Sequence, residues 1–241
     1  QNKSAISEVI YRFEKEDTPA TLDINIVNKT FSLNYDLTQT PDLLNTRPRS
    51  TVEAEQAVKN LLSSGGILTT DLEEGTTSFE FLKVQDEKLV GAQSLSESQF
   101  VKVNLFRKPY NELPVLTPSK KNGNVWFVVT GNTSSDTNII AGEYHYFPID
   151  ETSSSTYPIK TAQQAWDELV SGKGFISQLP QETNIAVRRV YLAYYDSGKP
   201  QEFLQPIVVF DGDGGFLAFV PAVSQEYYSQ EVTPAATIPQ L

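Results

Sequence analysis

The chain has 241 residues, 39% of them hydrophobic and 20% charged, with a formal net charge of -11 and with neither cysteine nor methionine. That length and composition suit one large or two ordinary domains whose core needs no metal or disulfide, and they exclude a disordered chain and one built of long apolar spans. The acidic balance, with basic residues adjacent only in pairs such as Lys120 and Lys121, argues against a grip on nucleic-acid phosphates, and the missing cysteine removes thiol catalysis, thiolate metal sites and disulfides.

The chain opens "QNKSAISEVI" with no methionine even at position 1, which reads as a processed product whose signal peptide or N-terminal membrane anchor precedes it. Cysteine avoidance fits an exported bacterial protein, so an extracytoplasmic location, anchored or secreted, is expected, with membrane contact only through the missing anchor. The Asn-x-Ser/Thr triplets at Asn2, Asn28 and Asn132 matter only in a glycosylating host. Residues 1–50 predict a β-hairpin region with one wet face. Leu22, Ile24 and Ile26 alternate with Asp23 and Asn25, and Phe31, Leu33 and Tyr35 alternate with Ser32 and Asn34. "TQTPDLLNTRPRS" then breaks the alternation.

Residues 51–150 predict a helix followed by a sheet with an added strand. Ala54, Ala57, Val58, Leu61 and Leu62 form one stripe at helical spacing. Ser50 and Glu53 read as a capping box, and Gly65 with Gly66 as the stop. Residues 151–241 predict a second helix with its sheet and a flexible tail. Here Ala162, Ala165, Trp166, Leu169 and Val170 are the first stripe moved on by 108 residues. Thr161 and Gln164 cap it, and Gly172 and Gly174 end it. After the first helix come "SFEFLKV", "QFVKVNLF", "LPVLTP", a polar turn and "VWFVV"; after the second come "VRRVYLAYY", "LQPIVVF", "DGDGG" and "FLAFVPAV". Both orders read as helix, strands, tight turn, strand, with a proline before the penultimate strand, an internal repeat. "DETSSST" separates the copies, and "EVTPAATIPQL" is the flexible tail.

The fold class expected is therefore α+β, with two helices each covering an antiparallel sheet after an N-terminal β-hairpin. The spelling "TYPIKTAQQAWDELVSGKG" with "VYLAYYDSGKPQEFLQPIVVFDGDGGFLAFVPAV" resembles the PepSY-like domains of bacterial envelope proteins, most of all extracytoplasmic regulators of the YycH and YycI type. The resemblance implies tandem PepSY-like repeats in a membrane-anchored regulatory or binding module without chemistry of its own.

Candidate chemistry reads thinly. His145 is the only histidine, so every histidine mechanism must pass through it, and no G-x-S-x-G accompanies it. Asp211 and Asp213 in "DGDGG" begin like a calcium loop without completing one, and read better as a hairpin turn. "DLEEGT" at Asp71–Thr76 and Glu97 are carboxylates that do not make a glycosidase. No catalytic residue, metal site or cofactor is implied. Tyr191, Tyr194 and Tyr195 are the candidate binding residues, because an exposed tyrosine-rich sheet face suits a protein or peptide partner at the membrane or cell surface. A structural surface or cell-wall assembly component is the alternative, and a carboxylate hydrolase the third.

Overall fold

The computed structural model describes residues 2–16, 18–86, 88–132, 138–181 and 184–227. It is an α+β protein made mostly of strands, in two compact units. The first unit is Gln1–Ile149 with Ala193–Gln205, and the second is Asp150–Leu192 with Pro206–Leu241. The Pro/Ala/Thr-rich tail lies outside the described residues.

In the first unit β1 (Asn2–Ala5), β2 (Ile10–Glu14), β3 (Ala20–Asn25) and β4 (Thr30–Tyr35) form an antiparallel meander. After α1 (Thr51–Ser64) and the single turn α2 (Thr70–Glu73) come β5 (Thr77–Gln85), β6 (Lys88–Gly91), β7 (Phe100–Leu105), β8 (Val115–Leu116), β9 (Val125–Thr130) and β10 (Ile139–Tyr144). One nine-stranded sheet results, in the order β1-β2-β3-β4-β10-β9-β7-β5-β6. The expected hairpin is thus part of a larger meander, and residues 1–50 are not a region apart: β10 pairs with β4 on one side and β9 on the other. The wet face is as the alternation requires, with Arg12 opposite Asp23 and Asp23 opposite Ser32, and the guanidinium bonded bidentately to the carboxylate.

Helix α1 covers one face of this sheet because its stripe meets the odd-numbered residues of β7 and β9. Ala54, Val58 and Leu62 pack with Val101, Val103, Leu105, Val125 and Phe127, all buried. Ser50 caps it by accepting from the Glu53 N–H at 3.1 Å, and Gly66 ends it at φ +66°. The opposite face carries Phe100, Val128 and Ile140 with Tyr35 and Leu43. Leu43 belongs to a short 3-10 turn, Pro41–Asn45, built from the segment the alternation left unassigned. Gly142 in β10 is required by packing, since a Cβ there would collide with the Phe127 ring.

In the second unit α3 (Ala162–Glu168) is followed by one π-type turn, Leu169–Lys173, then by β11 (Phe175–Gln178), β12 (Val187–Tyr195), β13 (Gln205–Gly212) and β14 (Leu217–Pro221). The sheet order is β11-β14-β13-β12, and β12 runs on into the first unit, where Tyr194 and Tyr195 pair in parallel with Val115 and Leu116 of β8. The Thr161/Gln164 capping box forms with both halves present, and Gly172 stops the helix at φ +81°. The stripe, however, buries only Ala165, packed against Val208, Phe210, Ala218 and Val220, with Leu169 half-covered. Trp166 is 40% exposed with its ring 5.7 Å from that of Phe210. The apolar stripe, read as the side of the helix that covers the sheet, places Trp166 under cover with Ala165; the structure corrects this, since α3 has only seven residues, Ala165 is the one it buries, and the indole lies beside it against Phe210.

The two units share a helix that precedes three neighbouring strands, β5-β7-β9 and β12-β13-β14. The proline correspondence does not extend to the sheets. "LPVLTP" supplies only the two-residue β8, which leaves the nine-stranded sheet, because Pro114 and Pro118 bracket it and prolines lack the N–H a central strand needs. Among the described residues β6 and β11 have no counterparts in the other unit.

Candidate functional site

The tyrosines do not form an open face. Tyr191, Tyr194 and Tyr195 are each only half-exposed. Tyr191 and Tyr195 share one strand face and Tyr194 takes the other, the side on which Leu192 joins the α3 cluster. Tyr194 stands edge-on to Tyr110 at 5.5 Å, while Arg189 lies over Tyr191. Burial, followed by the nearby Asp211 and Asp196 carboxylates, raises the Tyr191 and Tyr195 hydroxyls above their ordinary range.

The "DGDGG" carboxylates are each held by an arginine. Asp213 receives both Nε (2.8 Å) and Nη2 (2.7 Å) of Arg188, and Asp211 pairs with Arg189. Gly214 and Gly215, at φ +63° and +82°, turn the chain, so the segment is a hairpin turn clamped by β12. Among the described residues no group of three or more His, Asp or Glu is placed to hold a metal ion.

His145 follows the end of β10, with its Nδ1 3.3 Å from the Gly198 carbonyl and its Nε2 3.9 Å from Glu143. Beside it lies a centre that sequence reading missed. Arg107, 5% exposed at its side chain, donates from Nε to Asp196 at 2.6 Å, from Nη1 to Asp71 at 2.7 Å and from Nη2 to the Phe147 carbonyl at 2.5 Å. Its guanidinium carbon sits 4.1 Å from the Tyr146 ring centroid. The other Asp71 oxygen accepts from Thr69 at 2.6 Å and Tyr146 at 2.9 Å, and the other Asp196 oxygen accepts the Gly198 N–H at 3.1 Å. Burial pushes the Asp71 carboxyl up, but the Thr69 hydrogen bond and the Arg107 charge outweigh it and leave it below the usual carboxylate range. Burial likewise drives the Tyr144 hydroxyl up to about 12. Every carboxylate oxygen here already accepts a hydrogen bond, and the adjoining cavity, lined by Leu72, Val115, Asn124 and His145 among others, measures about 10 Å³, room for no more than one water. The cluster locks four stretches of the first unit together and offers no space for a substrate.

Exposed large apolar side chains occur in both units, and their densest run along the chain is in the second. Within Trp166–Leu179, Trp166 (40%), Val170 (62%), Phe175 (49%), Ile176 (50%) and Leu179 (66%) are exposed. Trp166 and Val170 are one turn apart on α3 and its continuation, beside the buried line of Ala165 and Leu169. Phe175 pairs in register with Phe219 and rests on its ring, centroids 5.0 Å apart, on the sheet face away from Ala165 and Trp166. The periodicity had marked Trp166 and Val170 as apolar; what it could not give was that they face outward. No family model, curated protein or solved structure matches this chain.

Proposed function

We propose that this chain is a non-catalytic extracytoplasmic module that binds a protein or peptide, and that it regulates a membrane partner in the way its PepSY-like, YycH/YycI-type spelling implies. The observation that carries the reading is the concentration of five large exposed apolar side chains in the fourteen residues from Trp166 to Leu179. An aromatic-bearing apolar stretch of this density is the composition of a polypeptide interface. Tyr191, Tyr194 and Tyr195 remain candidates for its margin. The two-repeat description draws support from the helix that precedes three neighbouring strands in each unit. The extracytoplasmic placement rests on the cysteine-free composition; among the described residues no helix is long and apolar enough to cross a membrane.

The assembly alternative has less behind it. The outer strands of the nine-stranded sheet are four residues long and carry Lys3 and Lys88, and β11 is bulged between Ile176 and Gln178, all features that discourage edge-to-edge joining. A photo-crosslinking residue at Val170 tests the reading, with one at Lys88 in the other unit as control. Adducts to a discrete polypeptide at Val170 and not at Lys88 are expected in envelope preparations. Equal labelling at both positions, or a hydrolase activity abolished by changing a carboxylate pair, would overturn it.

A further inference from the structure

The end of the first unit's sheet where β1 turns into β2 and β3 into β4 is apolar. Ile6, Ile26 and Val27, each more than half exposed, and Val9, also exposed, sit in these two turns. The turns form one surface, because the Ile26 N–H donates to the Val9 carbonyl at 2.9 Å and Ile10 pairs with Asn25 beside it. At the other end of the same meander the β2–β3 turn reads "KEDTP". Single exposed aliphatics are ordinary, but four gathered on adjoining turns mark a contact. The turns also carry their own hydrogen-bond acceptors. Ser7 Oγ takes the Val9 N–H at 3.3 Å, Asn25 Oδ1 takes those of Val27 and Asn28 at 3.0 Å, and the Ile10 and Asn25 carbonyls take those of Ile6 and Lys29 at 2.9 and 2.8 Å. A polypeptide partner can supply acceptors of its own, whereas hydrocarbon supplies none and admits only backbone that is already satisfied. Behind the turns stand an amphipathic ring and a cation, with Lys3 Nζ 4.2 Å from the Tyr11 ring centroid. At about 3.3 Å per strand residue Tyr11 lies about 7 Å behind Val9, and Lys3 about 10 Å behind Ile6. Over that depth a bilayer passes from hydrocarbon to headgroups, and tyrosine and lysine are the side chains that anchor there. Within the turns Glu8 and Lys29 cancel in charge.

We infer that these two turns insert into the surface of a phospholipid bilayer, with Ile6, Val9, Ile26 and Val27 in the hydrocarbon margin and Tyr11, Lys3 and Lys29 among the headgroups. Burial of the four aliphatic side chains supplies the affinity, and the two lysines meet the lipid phosphates. Four such side chains give reversible attachment and not permanent anchoring. The contact belongs to the first unit and does not depend on the polypeptide surface proposed for the second.

The test uses the full chain and vesicles of phosphatidylcholine with phosphatidylglycerol. The chain has no cysteine, so Val27→Cys takes a single environment-sensitive nitrobenzoxadiazole label. Lys88→Cys, in the hairpin at the opposite end of the same sheet, takes the control label. Vesicles should blue-shift and brighten the label at position 27 and leave the one at 88 unchanged. In co-sedimentation Ile6→Ser combined with Val27→Ser should lower vesicle partition by about tenfold or more, and Lys3→Gln by about threefold. Val170→Ser in the second unit should leave it unaltered. Both turn side chains are more than half exposed, so the double variant has little packing to lose, and Val27→Phe, which adds apolar area at the same place, should strengthen partition by about threefold. No partition, equal shifts of the two labels, or partition indifferent to the double variant would overturn the inference, as would a loss at Val170→Ser in its place. Failure at the turns leaves the Val170 crosslink to a polypeptide as it was, so the two readings fall separately.

Discussion

Arg107 concentrates the first unit's polar energetics in one side chain. Removing it leaves Asp71 and Asp196 as buried carboxylates without their cation, and broken buried pairs of this kind cost about 3–5 kcal/mol. Arg107→Ala should therefore lower unfolding stability by that amount in urea titration, and a loss below about 1 kcal/mol would show that water takes over the guanidinium's work. The pH dependence has a definite sign. The folded pKa of Asp71 lies below its reference value of 3.8, so the stabilisation is present above that pH and drains away as pH falls through the folded value. Asp71→Asn should flatten the acid limb of a stability-versus-pH curve below about pH 4, and an unchanged acid limb would place the titrating group elsewhere. None of this was legible from the sequence. Asp71, Phe147 and Asp196 lie 36, 40 and 89 positions from Arg107, and a local pattern cannot report pairings at such separations. Asp71 drew notice only as one carboxylate among thirty acidic residues.

Among the elements, α1 was read nearly as it stands, since the glycine stop and stripe agree and Ser50 caps it, although of the Ser50/Glu53 box only the Ser50 half forms and Leu61 at the stripe's margin is 42% exposed. The α3 stripe had the same spacing and a different outcome. Periodicity gives the apolar side of a helix, but how wide a strip is covered depends on how closely the helix approaches its sheet. With Ala165 fully buried and Trp166 partly wet, Trp166→Ala should cost only about 1–2 kcal/mol, less than a core tryptophan. Ala165→Leu should cost about 1–3 kcal/mol by overpacking against Phe210 and Val220. Paired thermal melts check the contrast, and a larger loss at Trp166 than at Ala165 would restore the stripe as first read. The meander of the first four strands was visible in part through its alternation. The placement of β10 between β4 and β9 was not, because it joins Phe31 to Tyr144 across intervening helices and hairpins.

At the scale of the molecule the units are not two successive stretches of chain. The "DETSSST" linker was read as the boundary between two successive copies, whereas the units change over at Ile149/Asp150, Leu192/Ala193 and Gln205/Pro206; the excursion of Ala193–Gln205 back into the first unit had no local signature beyond "YYDSGKP". A fragment ending at Asp150 would lack Asp196 for Arg107 and the β12 residues that pair with β8. It should unfold several kcal/mol more easily than the same unit in the full chain, as followed by near-ultraviolet dichroism in urea. A coincident transition would mean the returning segment contributes nothing. The same discontinuity governs the order of events as the polypeptide is made. Hairpins such as β2–β3 and β5–β6 close over short loops and form early, yet the unit whose chain begins first cannot seat its buried arginine until residue 196 has been synthesised and has threaded back. In the interval Asp71 and Arg107 face water, and β8 has an open edge. A growing chain of this kind is therefore most exposed to proteolysis and wrong pairing late in its synthesis, and slow elongation through residues 150–205 would lengthen the life of a half-finished first unit.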